Sequence, residues 1–187
     1  MRLGLTEAGV TELMAVADHA RGLSKLAAGL RLSPEIAEGG ADAAGSGAGA
    51  GRVVADVREE DVDGRVGAVY AEIRGWAKTH LGVDRVPALW RALAHHPVYM
   101  DAVWRRDRAI MGPGALTPLQ KQAVGYAMAT NCVAPYMIDY HPAALRVAGL
   151  DDHGFIEVLA VVDYFNNLNT LADGMDIESD IKPYQTY

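Results

Sequence analysis

His141 is the residue of this sequence best suited to acid–base chemistry, because an imidazole titrates close to neutral pH. Pro135 can open a helix, so His141 lies within a predicted helix and shares one face with Met137. An apolar face is typical of a hydrogen-bonded core histidine, and the residues alone leave a structural and a catalytic role open. Asp139 points elsewhere on the same helix, and we expect a solvated surface carboxylate there.

Cys132 is the only cysteine of the chain. A single thiol excludes a disulfide within one chain and a metal cage made of cysteines alone. Its position three residues before Pro135 places it just outside the helix that this proline opens. We expect a small, buried residue, and a reactive thiol is the alternative.

Helix signals position these side chains, and no segment alternates apolar and polar residues for long enough to form a strand. Residues 117–120 read Thr-Pro-Leu-Gln, which is a capping box with proline at the first helical position. Pro87 and Pro97 predict two further starts, and apolar spacing predicts a long helix from Asp151 or Asp152 to Gly174. The sequence therefore predicts an all-α fold.

The two ends of the chain resemble each other. Residues 4–35 align without gaps with residues 149–180, and 11 of the 32 pairs are identical, where ordinary residue usage would give about two. We infer that residues 1–37 form an N-terminal helix that is a partial copy of the last helix. Its apolar stripe must be buried, and we place it across a homodimer interface. The stripe comprises Val10, Leu13, Met14, Ala17, Leu23, Leu26 and Leu30.

A stretch rich in glycine, alanine and serine follows this helix. Residues 38–52 have little to bury and a high cost of ordering, so they predict a flexible linker. The main domain then comprises residues 53–187.

The chain carries 17 Lys and Arg against 24 Asp and Glu, a net charge of −7. An acidic C-terminal segment without a basic stripe argues against nucleic acid or an anionic membrane as a partner. No run of 18 apolar residues exists, and the N-terminus turns polar too early for a signal peptide. We expect a cytoplasmic protein.

The stretch from Leu116 to His141 resembles the signature of the AhpD-like, or carboxymuconolactone decarboxylase, superfamily. In that signature a helix opening Leu-Ser/Thr-Pro leads to Cys-Pro-Tyr-Cys and then to a histidine four residues beyond the second cysteine. The resemblance covers about residues 66–177 and implies an all-α bundle that assembles as dimers or multiples of dimers. Residues 69–74 and 89–94 also loosely resemble the two-repeat group I haloacid dehalogenases.

The departures from this signature bear on function. The two redox cysteines of the family fall on Ala134 and Met137, and its proton-relay glutamate falls on Gln122. Only the histidine is kept, as His141. Without the paired thiols, a peroxidase cycle that closes a disulfide within one subunit is not expected.

The resemblance therefore favours the decarboxylase branch, a cofactor-independent enzyme of lyase, isomerase or hydrolase type acting on a small organic molecule. His141 would be the general acid and base with a pKa near neutrality, and Gln122 would orient the substrate or an oxyanion. No cofactor and no metal are predicted. One alternative is an alkylhydroperoxidase that uses Cys132, and another is a non-catalytic member kept for binding or assembly. The expected pocket wall comprises Trp90, Tyr136, Met137 and Tyr140.

Overall fold

The structure is a computed structural model that describes residue 4 and residues 6–36 and 51–177. Every regular element in that part of the chain is a helix, which confirms the predicted all-α class. A short 3-10 turn at Glu59–Asp61 precedes the second α-helix. The α-helices are α1 (Glu7–Gly29), α2 (Gly64–His80), α3 (Ala88–Leu93), α4 (Pro97–Met111), α5 (Pro118–Asn131), α6 (Pro135–Val147) and α7 (Asp152–Gly174).

Local sequence signals fix the helix starts. The backbone N–H of Thr117 donates to Gln120 Oε1 at 2.8 Å, and the backbone N–H of Gln120 donates to Thr117 Oγ1 at 3.2 Å. The predicted capping box at the start of α5 is therefore present. Proline occupies the first turn of α4, α5 and α6, where its missing N–H costs nothing.

The chain divides into two compact units, residues 1–151 and residues 152–187. In the first unit, α1 packs mainly against α5 and also against α6 and α4. Aromatic residues fill the core between these helices, and Trp90 meets Trp104 edge-on with ring centroids 5.2 Å apart. Most of the predicted linker, residues 38–50, lies outside the described residues.

The buried face of α1 differs from the expected stripe. Val10 and Met14 are 48% and 65% exposed, so these two residues face away from the core. An alanine-rich helix offers apolar positions on more than one side, and α1 uses the side with small residues, because these let two helix axes approach closely. The buried residues are Gly9, Val16, His19, Ala20, Leu23, Ser24 and Ala27.

The segment after α1 is tied to α6. Asp139 Oδ2 accepts hydrogen bonds from the backbone N–H groups of Glu35 and Ile36, at 2.8 and 2.6 Å. Glu35 Oε1 accepts from the Tyr136 hydroxyl at 2.9 Å and from the backbone N–H of Ala88 at 2.6 Å. The expectation that Asp139 is a solvated carboxylate was wrong, because residues 35 and 36 return over α6 and supply buried donors.

The second unit contains α7, in which Gly154 and Val162 are the residues classed as buried. Among the described helices, none combines the length and the apolar character needed to cross a membrane.

Candidate functional site

His141 and Gln122 form a hydrogen-bonded pair between α6 and α5. His141 Nδ1 donates to Gln122 Oε1 at 2.8 Å, and both side chains are buried. Gly125 makes room for the ring, since a Cβ at this position would lie 2.3 Å from His141 Cε1. The bond leaves Nε2 as the unprotonated ring nitrogen, and Nε2 has no hydrogen-bond partner in the described part of the chain.

Burial changes the basicity of this imidazole. It lowers the pKa of His141 to about 4, while the negative charge of Asp107 opposes the shift and His19 adds to it. His141 is therefore neutral at pH 7. The expected pKa near neutrality was wrong, because sequence spacing does not reveal that the ring is enclosed.

A pocket of about 830 Å³ opens beside this pair. Residues from α2, α4, α5 and α6 and the loop 112–117 line it, and Gln122 lies in its wall. Gln122 thus connects the pocket to the enclosed His141. The wall is mainly apolar, and within the described residues no aspartate or glutamate lines it. Its ionisable side chains are Arg108 and His80.

Arg108 is held in place at the pocket by two indole rings. Its guanidinium carbon lies 4.5 Å from the ring centroid of Trp76 and 4.6 Å from that of Trp104. Its Nε and Nη2 donate to Asp107 Oδ2 at 3.2 and 2.6 Å. These contacts hold the positive charge at the wall in one orientation.

Asp107 joins Arg108 to a second buried imidazole. His19 Nε2, contributed by α1, donates to Asp107 Oδ1 at 2.9 Å. Burial alone would raise the pKa of Asp107, but the hydrogen bond from His19 and the charge of Arg108 outweigh it and lower the pKa. Asp107 is consequently an anion buried behind the pocket wall.

Comparison with known proteins identifies the scaffold that carries this site. The crystal structure of the alkylhydroperoxidase AhpD core from Rhodospirillum rubrum is 32% identical, with a TM-score of 0.57. The similarity covers 62% of this chain and 83% of that chain. The chain belongs to the AhpD-like family. The sequence matches no protein-family model and no curated protein. The looser resemblance to haloacid dehalogenases finds no support in these comparisons.

The positions that carry thiols in the AhpD signature carry none here. Ala134 is the N-cap of α6, and Met137 lies in the first turn of the same helix, fully buried. Cys132 caps the C-terminal end of α5 and is half-buried, so it lies outside α6 as expected. The neighbouring Val133 adopts a positive φ of 49° in the tight turn between the two helices.

None of the four side chains expected to form a pocket wall lines this pocket. Trp90, Tyr136 and Met137 are at most 1% exposed and belong to the core. The Tyr136 hydroxyl is occupied by Glu35, and the ring of Tyr140 stacks on Trp76 at a centroid distance of 6.1 Å. Of these four residues, Tyr140 contacts the pocket wall through its stacking on Trp76.

The four residues predicted to form the pocket wall do not include the charged side chain and the indole that do line it, Arg108 and Trp76. Trp104 and Arg108 are four residues apart, which is the helical spacing for an indole beneath a guanidinium and could have indicated the pair. For Trp76, His80 and His19 the sequence offers no comparable signal. Within the described residues, no cluster of three or more His, Cys, Asp or Glu side chains could hold a metal ion.

Proposed function

We propose that this AhpD-like protein is a cofactor-independent enzyme of the decarboxylase type, which binds a small organic anion in the pocket beside Gln122 and transfers protons through His141. The observation that carries the proposal is that Gln122 both lines the pocket and holds His141 at 2.8 Å. Gln122 can therefore contact a ligand in the pocket and transmit its effect to the buried imidazole of His141.

The charges of the wall favour an anionic ligand. Arg108 carries the positive charge of the wall, because burial and the charge of Arg108 lower the pKa of His80 and favour its neutral form. No carboxylate is among the described residues that line the pocket. Arg108 Nε and Nη2 are engaged by Asp107, which leaves Nη1 to meet a ligand carboxylate. The apolar remainder of the wall suits a hydrocarbon or ring skeleton.

Binding of an anion would also change His141. A negative charge close to a buried imidazole stabilises its protonated form and raises its pKa from about 4. His141 is enclosed and does not itself line the pocket, so the ring would take up a proton once the bound ligand opens a path to Nε2, at a pH where His141 is otherwise neutral. Proton transfer would in this way be coupled to occupancy of the pocket.

The peroxidase alternative has less support. Cys132 is the only cysteine in the chain, and Ala134 and Met137 occupy the signature positions. A non-catalytic role would agree with the enclosure of His141, which is 3% exposed. An open pocket in contact with Gln122 favours ligand binding over a sealed core.

The proposal is tested by a thermal-shift screen with small mono- and dicarboxylic acids, followed by NMR detection of product from the acids that bind. We expect at least one acid to raise the melting temperature of the wild-type protein. Arg108→Gln should weaken its binding at least about tenfold, because a charge-assisted contact is lost. His141→Gln should retain binding and lose turnover.

Arg105→Gln is the matched control, since this exposed arginine lies on the same helix and outside the pocket. It removes the same charge and should leave binding unchanged. If no carboxylate stabilises the wild type, or if the two arginine variants behave alike, the anion site is not where we place it. Turnover that survives His141→Gln would reject the role of the imidazole.

A further inference from the structure

Arg108 and Asp107 form an ion pair between neighbouring residues of α4. Arg108 Nε and Nη2 donate to Asp107 Oδ2 at 3.2 and 2.6 Å. Side chains one position apart point in different directions on a helix, so helical geometry by itself does not bring these two groups together. A contact that fixes the carboxylate of Asp107 in this orientation therefore also determines where the guanidinium of Arg108 lies.

His19 makes such a contact from α1. Its Nε2 lies 2.9 Å from Asp107 Oδ1, and the side chains of His19 and Asp107 are 1% and 7% exposed. The two oxygens of the carboxylate are thus divided between two partners, with the imidazole at Oδ1 and the guanidinium at Oδ2. Because both oxygens are engaged, the carboxylate cannot turn without breaking a buried hydrogen bond.

The second ring nitrogen of His19 indicates that this residue does more than fill space. Nδ1 is buried and has no hydrogen-bond partner in the part of the chain that the structure describes. An apolar side chain could pack at this position without leaving a buried nitrogen unbonded, which costs free energy. The contact with Asp107 is therefore what a histidine contributes here and an apolar residue could not.

α1 reaches the pocket wall at a second point. Glu12 forms an ion pair with Lys121 and accepts from the backbone N–H of Leu116 at 2.8 Å. Lys121 Nζ donates in turn to the backbone carbonyl of Gly112 at 2.6 Å. Gly112 and Leu116 line the pocket, as Arg108 does, whereas none of the described lining residues belongs to α1. α1 thus supports the wall from outside, through side chains that bond to it.

We propose that His19 is a positioning residue of the ligand site, which acts through Asp107 to hold Arg108 in the orientation that leaves Nη1 open to an anion. That an anion binds there rests on the proposed function, whereas the effect of His19 on Arg108 does not. Docking of α1 and binding in the pocket are then coupled, because both favour the same arrangement of Asp107 and Arg108. The N-terminal helix takes part in the site without contacting the ligand.

Substitutions on the buried face of α1 test this role. Glutamine carries its amide nitrogen at about the reach of the histidine Nε2, whereas the amide of asparagine is one methylene shorter. His19→Gln should therefore keep the hydrogen bond to Asp107, and His19→Asn should lose it. Ser24→Ala is the control, because Ser24 is fully buried on the same face and its hydroxyl has no partner among the described residues.

Proton–nitrogen NMR of arginine Nε groups observes Arg108 directly, and its signal is the one that is absent from the spectrum of Arg108→Gln. We expect slow exchange of this Nε–H with water in the wild type, His19→Gln and Ser24→Ala, because Asp107 holds it. In His19→Asn the exchange should be at least about fivefold faster. Equal exchange in all four proteins would overturn the proposal.

Benzoate is the probe for the ligand site, and benzamide is its uncharged counterpart. Measured by calorimetry, benzoate should bind the wild type and His19→Gln alike. It should bind His19→Asn at least about threefold more weakly, because loss of a supporting contact misplaces the group that it orients. Benzamide has no charge for Arg108 to meet, so its affinity should be the same in all three. Equal weakening of both compounds would indicate a general loss of structure and contradict a positioning role.

The proposed function and the positioning role can fail separately. If benzoate does not bind the wild type while the Arg108 signal responds to His19→Asn, the anion site is wrong and the positioning role stands. Amide hydrogen exchange tests the coupling without any variant of His19. Saturating benzoate should slow the exchange of α1 amides at least about twofold in the wild type and should not do so in Arg108→Gln. Bound benzoate with unchanged exchange in α1 would refute the coupling.

Discussion

The pair of His141 and Gln122 determines what the pocket can do chemically. The ring is buried, and its Nδ1 is fixed by Gln122 at 2.8 Å. Nε2 therefore keeps its lone pair in a region of low polarity, where a nearby charge acts strongly. Glutamine at the position of the family's glutamate offers no exchangeable acid proton, and its Oε1 accepts the hydrogen bond from His141.

Gly125 leaves the space that the His141 ring occupies. A substitution at Gly125 therefore tests how tightly this ring is packed. In Gly125→Ala the new Cβ would meet His141 Cε1 at 2.3 Å, so the ring or the helix must shift. We expect a loss of about 1–3 kcal/mol in the free energy of unfolding, measured by urea denaturation.

Gly75→Ala is the control for helix propensity. Gly75 lies in α2 with nothing within 4 Å of an added Cβ, and alanine there should gain up to about 1 kcal/mol. If Gly125→Ala also stabilised the protein, the ring would have room to move and the tight fit would be refuted.

At the scale of elements, α1 is part of the scaffold of the site. His19 binds the carboxylate of Asp107, which in turn orients Arg108 at the pocket. Glu12 forms an ion pair with Lys121 on α5 and accepts from the backbone N–H of Leu116 at 2.8 Å. Hydrogen bonds and an ion pair thus fix the position of α1, together with the packing of its small apolar residues.

Glu12→Gln should loosen α1 from α5. Lys121 is 1% exposed and would keep a buried charge without a carboxylate partner, which is costly even with two backbone carbonyls accepting from it. We expect amide hydrogens of α1 to exchange at least about tenfold faster, as read by mass spectrometry. Glu7→Gln, in the exposed first turn of α1, should change exchange little. Equal exchange in both variants would show that apolar packing alone holds the helix.

At the scale of the whole molecule, the titration of His141 affects global stability. Its pKa is about 4 in the folded protein against an ordinary value of 6.5. Between pH 4 and pH 6.5, His141 is protonated in the unfolded chain and neutral in the folded protein. The free energy of unfolding therefore falls as the pH falls from 6.5 to 4. Over this whole pH interval, the free energy of unfolding should fall by about 3 kcal/mol.

Urea denaturation at intervals between pH 7 and pH 4.5 measures this dependence. The lowered pKa of Asp107 affects stability only at lower pH, since its ordinary value is 3.8. His141→Gln should reduce the slope to the part contributed by His80, whose pKa is lowered by burial and by the charge of Arg108. His153→Gln, whose side chain is 80% exposed, should retain the full slope. A wild-type slope that survives His141→Gln would place the responsible group elsewhere.

Features that depend on local chemistry follow from the order of the residues. Prolines, the Thr117 capping box and Gly149 fix where helices begin and end, because caps and φ preferences act within one turn. The motif around His141 indicated the family, and its alignment placed Gln122 at the position of the family's proton-relay glutamate. The hydrogen bond between Gln122 and His141 was found only in the structure. The comparison of residues 4–35 with residues 149–180 likewise needs only the order of amino acids.

The surroundings of each side chain depend on how the helices pack together. The sequence predicts that Asp139 lies on the surface, but residues 35 and 36 cover it. The sequence also predicts that Tyr136 lines the pocket, but its hydroxyl donates a hydrogen bond to Glu35 in the core. Arg108 becomes a pocket residue only when α2 brings Trp76 to its other face. The physical reason is that burial and charge depend on distance in space, and residues up to 104 positions apart form these contacts.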